Sequence, residues 1–76
     1  MPVEDAVKIQ KALGQRIKRL REQEGWSQEA LADLCGIARG QLEQIERGQI
    51  DLRVGMLAEI AGKLKTTVTQ LLQGVA

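Results

Sequence analysis

The stretch Gln28–Arg47, QEALADLCGIARGQLEQIER, decides the fold. Leu31, Leu34 and Cys35 recur at offsets of three and four, the spacing that one face of a helix buries. Gly36 interrupts the run where a left-handed residue costs least, so the first stripe ends there. Leu42 and Ile45 then restart the period. Two short helices separated by about three residues must cross steeply.

The residues at the crossing sharpen this reading. Ala32 lies one turn before Gly36, where a larger side chain would hold the helices apart, and Ile37 follows the glycine as a plug for the angle between them. An ordinary αα-hairpin would share the apolar spacing without requiring the small residue, the glycine and the plug in this order. The pattern points to a helix-turn-helix whose second helix is free to enter a DNA major groove. A plain interaction hairpin is the competing reading.

Outward from this motif the chain reads as helices throughout. Residues 3–24 form one long helix, with Val7, Ala12 or Leu13, Ile17 and Leu20 at helical spacing and Lys8, Lys11, Arg16, Lys18, Arg19 and Arg21 crowding the other positions. Gly14 inside it costs about 1 kcal/mol relative to alanine. It divides the chain into a helical extension, 1–13, and a helix-turn-helix domain, 14–74. Ser27 is an N-cap for the second helix, and Trp26 and Leu31 have the spacing of a hydrophobic staple. The third helix is expected over about 39–47, closed by Gly48. The fourth, about 53–64, is expected to bury Val54, Leu57, Ile60, Ala61 and Leu64. Thr67 and Gln70 form a capping box for a short last helix containing Val68, Leu71 and Leu72.

With these pieces in place, the stretch from Leu13 to Leu72 resembles the helix-turn-helix domain of the lambda-repressor and Cro type, also called the xenobiotic-response-element family. LGQRIKRLREQEGWSQEALADLCGI, LEQIERGQ, LAEIAGKL and TVTQLL carry the resemblance. It implies an all-α, five-helix, lambda-repressor-like fold with the motif in helices two and three. It also implies sequence-specific binding to double-stranded DNA, usually as a dimer and in transcriptional control. The family pairs an arginine late in helix one with the glutamate of an IERG-type ending, which implies a structural salt bridge between Arg21 and Glu46. The chain departs from the family at Ala38, a common Ser or Thr N-cap, at Leu52, a common proline, and at Lys65, a common glycine.

Composition narrows the function. Seventy-six residues make one small domain, with one Trp and no Phe or Tyr, so its core must be aliphatic. The chain has no histidine and one cysteine, which removes the common catalytic dyads, zinc sites and an internal disulfide. Its glycines follow neither the P-loop nor the dinucleotide pattern. No enzyme activity, cofactor, metal or small-molecule ligand is expected. Cys35 on the buried stripe reads as a small core residue. No run of apolar residues suits a membrane span, and MPVEDAVKIQ does not read as a signal peptide, so a cytoplasmic, nucleoid-associated protein is expected. The formal charge of +1 is uninformative, because its distribution matters more than its sum.

A recognition helix presents its N-terminal half to base edges, so Arg39, Gly40, Gln41 and Gln44 are the candidate base contacts. Arg39 suits guanine and Gln44 adenine, while Gly40 offers only a close backbone approach. The resemblance implies the same positions. Gln28 at the start of helix two, Arg47 and Arg53 are candidate phosphate contacts. Glu43 argues mildly against DNA, since an acid there repels phosphate. A homodimer is expected, through the outer faces of helices four and five with Ile50, Leu72 and Val75. No second domain is expected after Ala76. A restriction–modification controller protein, a small repressor and an antitoxin all fit. The alternative function is a protein–protein adaptor that keeps the fold without binding DNA, favoured by Glu43, Gly40 and the near-zero charge.

Overall fold

A computed structural model describes residues 3–73, with side chains from Asp5 onward. Five helices follow one another: α1 Val3–Gln23, α2 Gln28–Cys35, α3 Arg39–Glu46, α4 Val54–Lys63 and α5 Val68–Leu72. No strand occurs among the described residues. α3 packs on α1 and α2, α4 packs on α2 and α5, and α5 returns to α1. The shared core is aliphatic: Leu13, Ile17, Leu31, Ala32, Leu42, Ile45, Leu57, Ile60, Ala61, Leu64 and Leu71 are buried. Trp26 and Ile37 pack against it from its edge.

Local chemistry sets the helix limits. The Ser27 side chain accepts the Ala30 N–H at 3.1 Å, and Thr67 with Gln70 closes a reciprocal capping box. α3 and α4 begin at Ala38 and Arg53 without a side-chain cap. At its far end, α2 closes with the Ile37 N–H on the Ala32 carbonyl and the Gly36 N–H on that of Asp33, the two-bond ending that needs a left-handed residue. The same ending closes α1, α3 and α4. Glycine fills the left-handed position in the first three helices, but Lys65 holds it after α4 at φ +59°. A side chain in that conformation costs roughly 1–2 kcal/mol.

Two expectations about burial require correction. Leu34 is 47% exposed: α2 turns Leu31, Ala32 and Cys35 toward the core, and Leu34 falls on the flank of that arc. Val54 is 76% exposed, because the first turn of α4 extends past the core that Leu57, Ile60, Ala61 and Leu64 fill. Val7 is also exposed. Val75 lies outside the described residues.

Gly14 has a role that its helix propensity hides. α1 runs through it unbroken, and a methyl group there would overlap the carbonyl oxygens of Ile45 and Glu46 at the end of α3. One α1 turn earlier, a Cβ on Gly48 would lie 2.6 Å from Lys11 Cα. These two glycines let the backbones of α1 and α3 touch. At the other end of the fold, Arg16 on α1 donates to the carbonyls of Gln70 at 3.1 Å and Gln73 at 3.0 Å, tying down the last turn of α5.

Candidate nucleic-acid interface

α3 is divided by its own periodicity. Leu42, Ile45 and Glu46 are buried against α1 and α2, whereas Arg39, Gly40, Gln41 and Gln44 are exposed. The exposed set presents a guanidinium and two amides, groups that donate and accept in the patterns of base edges. Nothing lies within 4 Å of a Cβ built on Gly40, so the backbone is open there.

A network anchored in the core runs to this face. Arg21 and Glu46 are both nearly buried, and Arg21 Nε donates to Glu46 Oε2 at 2.7 Å while Nη2 donates to Oε1 at 3.2 Å. Arg21 Nη1 also donates to the Trp26 carbonyl at 2.7 Å, so one guanidinium ties α1 to α3 and to the turn before α2. Gln28 Nε2 donates to Glu46 Oε1 at 3.0 Å, and Arg39 Nη1 donates to Gln28 Oε1 at 3.1 Å. The chain Arg21–Glu46–Gln28–Arg39 thus links a buried ion pair to an exposed arginine. No described buried side-chain nitrogen or oxygen lacks a partner. Gln28 is half-buried, and sequence reasoning did not anticipate its bond to Arg39.

Glu43 sits between two arginines. It lies 3.7 Å from Arg39 Nη1 and 3.4 Å from Arg47 Nη2, each one helical turn away. Such exposed pairs add little stability. Their effect here is local: the acid that argued against a polyanion is flanked on both sides by positive charge. Arg47 stands just after α3 and Arg53 just before α4, both exposed. The structure does not join Arg53 to the Arg39 network.

Cys35 is half-buried at the α2–α4 contact. Burial pushes its thiol up, Glu59 adds to this and Lys63 opposes it. It is therefore a protonated packing group at neutral pH. Among the described residues no set of His, Cys, Asp and Glu could hold a metal ion. No described helix is long and apolar enough to cross a membrane.

An exposed polar helix braced by a second across a glycine turn defines a helix-turn-helix domain. The HTH_3 helix-turn-helix family model matches residues 17–71, and the chain belongs to this family. The HTH-type transcriptional regulator SinR of Bacillus subtilis is 36% identical over 61 residues, 79% of this chain and 55% of SinR. The HTH-type transcriptional regulator SutR of Escherichia coli is 41% identical over 49 residues, 64% of this chain and 28% of SutR. The chain therefore spans about half the length of one relative and less of the other. Among solved structures, the restriction-modification controller protein C.AhdI from Aeromonas hydrophila superimposes with a TM-score of 0.77 at 34% identity, covering 80% of this chain and 92% of that one. SinR in complex with DNA, described as the master regulator for biofilm formation, gives 0.75 at 35% identity, covering 80% and 98%. SinR and SutR are thus transcriptional regulators and C.AhdI a controller protein, and this chain shares the all-α helix-turn-helix fold of the solved SinR and C.AhdI.

Proposed function

We propose that the protein is a sequence-specific transcriptional regulator that binds duplex DNA as a homodimer on a palindromic operator, with α3 in the major groove. The observation that carries this reading is the exposed row Arg39, Gly40, Gln41 and Gln44 on a helix whose other face is locked into the core. SinR, at 35% identity, supports it as a relative solved on DNA. In this reading Arg39 and Gln44 contact base edges, Gln41 contacts an adjacent base, and Gly40 admits the DNA backbone or a base closely. Gln28, Arg47 and Arg53 hold phosphates on either side. Gln28 has a second task, because its bond to Arg39 fixes the guanidinium before DNA arrives.

An apolar groove of about 160 Å³, lined in part by Ile9, Leu13, Ile50, Leu52 and Leu72, supports self-association near α5. Leu72 is itself exposed. A dimer would set two recognition helices one DNA turn apart, roughly 34 Å. The described part of the 1–13 segment is the first half of α1, and Leu13 joins it to the core of the domain over 14–74. A compact regulator of this kind suits a restriction–modification controller, a small repressor or an antitoxin, working in the cytoplasm on the nucleoid.

Two substitutions separate base reading from phosphate binding. Arg39→Ala is expected to lower affinity for the cognate site by about 1–3 kcal/mol and to relax base preference. Arg53→Ala is expected to weaken all sequences about equally and to flatten the salt dependence. Fluorescence anisotropy on cognate and scrambled duplexes across a salt series measures both. Equal, sequence-blind losses from the two variants would contradict base reading by Arg39. A salt-independent interaction with a protein partner, without DNA binding, would favour the adaptor.

A further inference from the structure

Beside α3, on the side facing α1, lies a polar cleft of about 370 Å³ that the base-contacting row does not use. Lys11, Gln15 and Lys18 line it from α1, Gln28 from α2, Glu43 and Glu46 from α3, and Arg47 from just beyond α3. Lys11, Gln15 and Lys18 are spaced four and three residues apart, so they form one stripe of α1, and all three are exposed. Both acids of the cleft are already engaged, Glu46 by Arg21 and Gln28, Glu43 by Arg39 and Arg47. Neither lysine belongs to any ion pair found among the described residues. The cleft therefore carries unspent positive charge.

Its walls are also fixed relative to each other. Gly48 lets Lys11 lie directly on the end of the recognition helix, and Gly14 holds the next turn of α1 against the carbonyls of Ile45 and Glu46. A stripe of cations on a wall packed against an exposed polar helix suits a polyanion lying across both.

We propose that this cleft takes a backbone phosphate of bound duplex DNA, held by Lys11 and Lys18 from α1 together with Arg47 from the end of α3. The proposal rests on the duplex-DNA reading and extends it: α1 grips the strand as well as bracing the recognition helix. The contact is electrostatic and blind to sequence.

The test is a salt titration of binding to a fluorescein-labelled duplex of mixed sequence, using the whole chain, with Lys11→Gln/Lys18→Gln compared with the unsubstituted protein. Losing one phosphate contact makes the plot of log affinity against log salt shallower by about 0.9. Arg19→Gln, at an exposed α1 position outside the cleft, is the control and is expected to leave the slope unchanged. Lys18→Gln alone keeps the test readable should substitution at Lys11 disturb its packing under Gly48, and it is expected to shift the slope in the same direction. An unchanged slope in the folded double variant, or an equal shift in Arg19→Gln, overturns the proposal while leaving DNA binding intact. No duplex binding by the unsubstituted protein, even at low salt, overturns the duplex-DNA reading and this one with it.

Discussion

Glu46→Gln is expected to remove about 3–5 kcal/mol of folding stability. Glu46 accepts from Arg21 through two nitrogens and from Gln28 through a third, in a setting where both charged partners are nearly buried. Glutamine preserves the shape but leaves the Arg21 guanidinium buried without a counter-charge. The penalty arises mainly from that stranded charge, so it exceeds anything an exposed pair such as Arg47–Glu43 can contribute. A domain of this length has about 4–11 kcal/mol in total, so a large share of its stability is at stake. Urea unfolding followed by Trp26, the sole tryptophan, reads the change as a lower midpoint at a similar slope. An unchanged midpoint would show that the ion pair does not hold α3 to α1. Replacing both partners by apolar residues, Arg21→Met with Glu46→Leu, should restore much of the loss, because no charge is then stranded.

Gly14→Ala is expected to destabilise by about 2–3 kcal/mol, against the sign that helix propensity assigns to it. In isolation the change would favour α1 by about 1 kcal/mol. In the fold, the new methyl would sit 2.5 Å from the Glu46 carbonyl oxygen and closer still to that of Ile45. Those atoms belong to the backbone of α3, so they can yield only by moving the helix that carries the exposed row. Gly62→Ala is the matching control. It lies inside α4, nothing stands within 4 Å of its added Cβ, and it should gain about 0.5–1 kcal/mol. Thermal melts of the two variants should move in opposite directions. Stabilisation by both would mean that α1 and α3 do not approach as closely as Gly14 requires.

Gly14 also marks where sequence reasoning reaches its limit. The helices were legible because local signals fix them: Ser27, the Thr67–Gln70 box, Gly36 and Gly48 act within a few residues of themselves. The α3 exposed row was legible for the same reason, since Leu42 and Ile45 set its phase. What sequence could not supply was tertiary. A glycine that serves a helix crossing looks like a weak point in its own helix. Leu34 and Val54 share the apolar period of their neighbours, and only the extent of the packed core leaves them exposed. Gln28 reads as a helix-start residue, and its place between Glu46 and Arg39 depends on where three helices meet. In the sequence Lys11 and Lys18 were two of six basic residues crowding the outer positions of α1, and nothing set them apart. Their relation to Arg47 emerges only once α1 lies along α3.

The measurement that bears most directly on site-specific recognition is selection of bound sequences from a random duplex-DNA pool by the purified protein at physiological salt. Recognition by two α3 helices of a homodimer predicts enrichment of a palindrome whose half-sites lie about one helical turn apart. A folded protein that enriches no sequence would contradict site-specific DNA recognition.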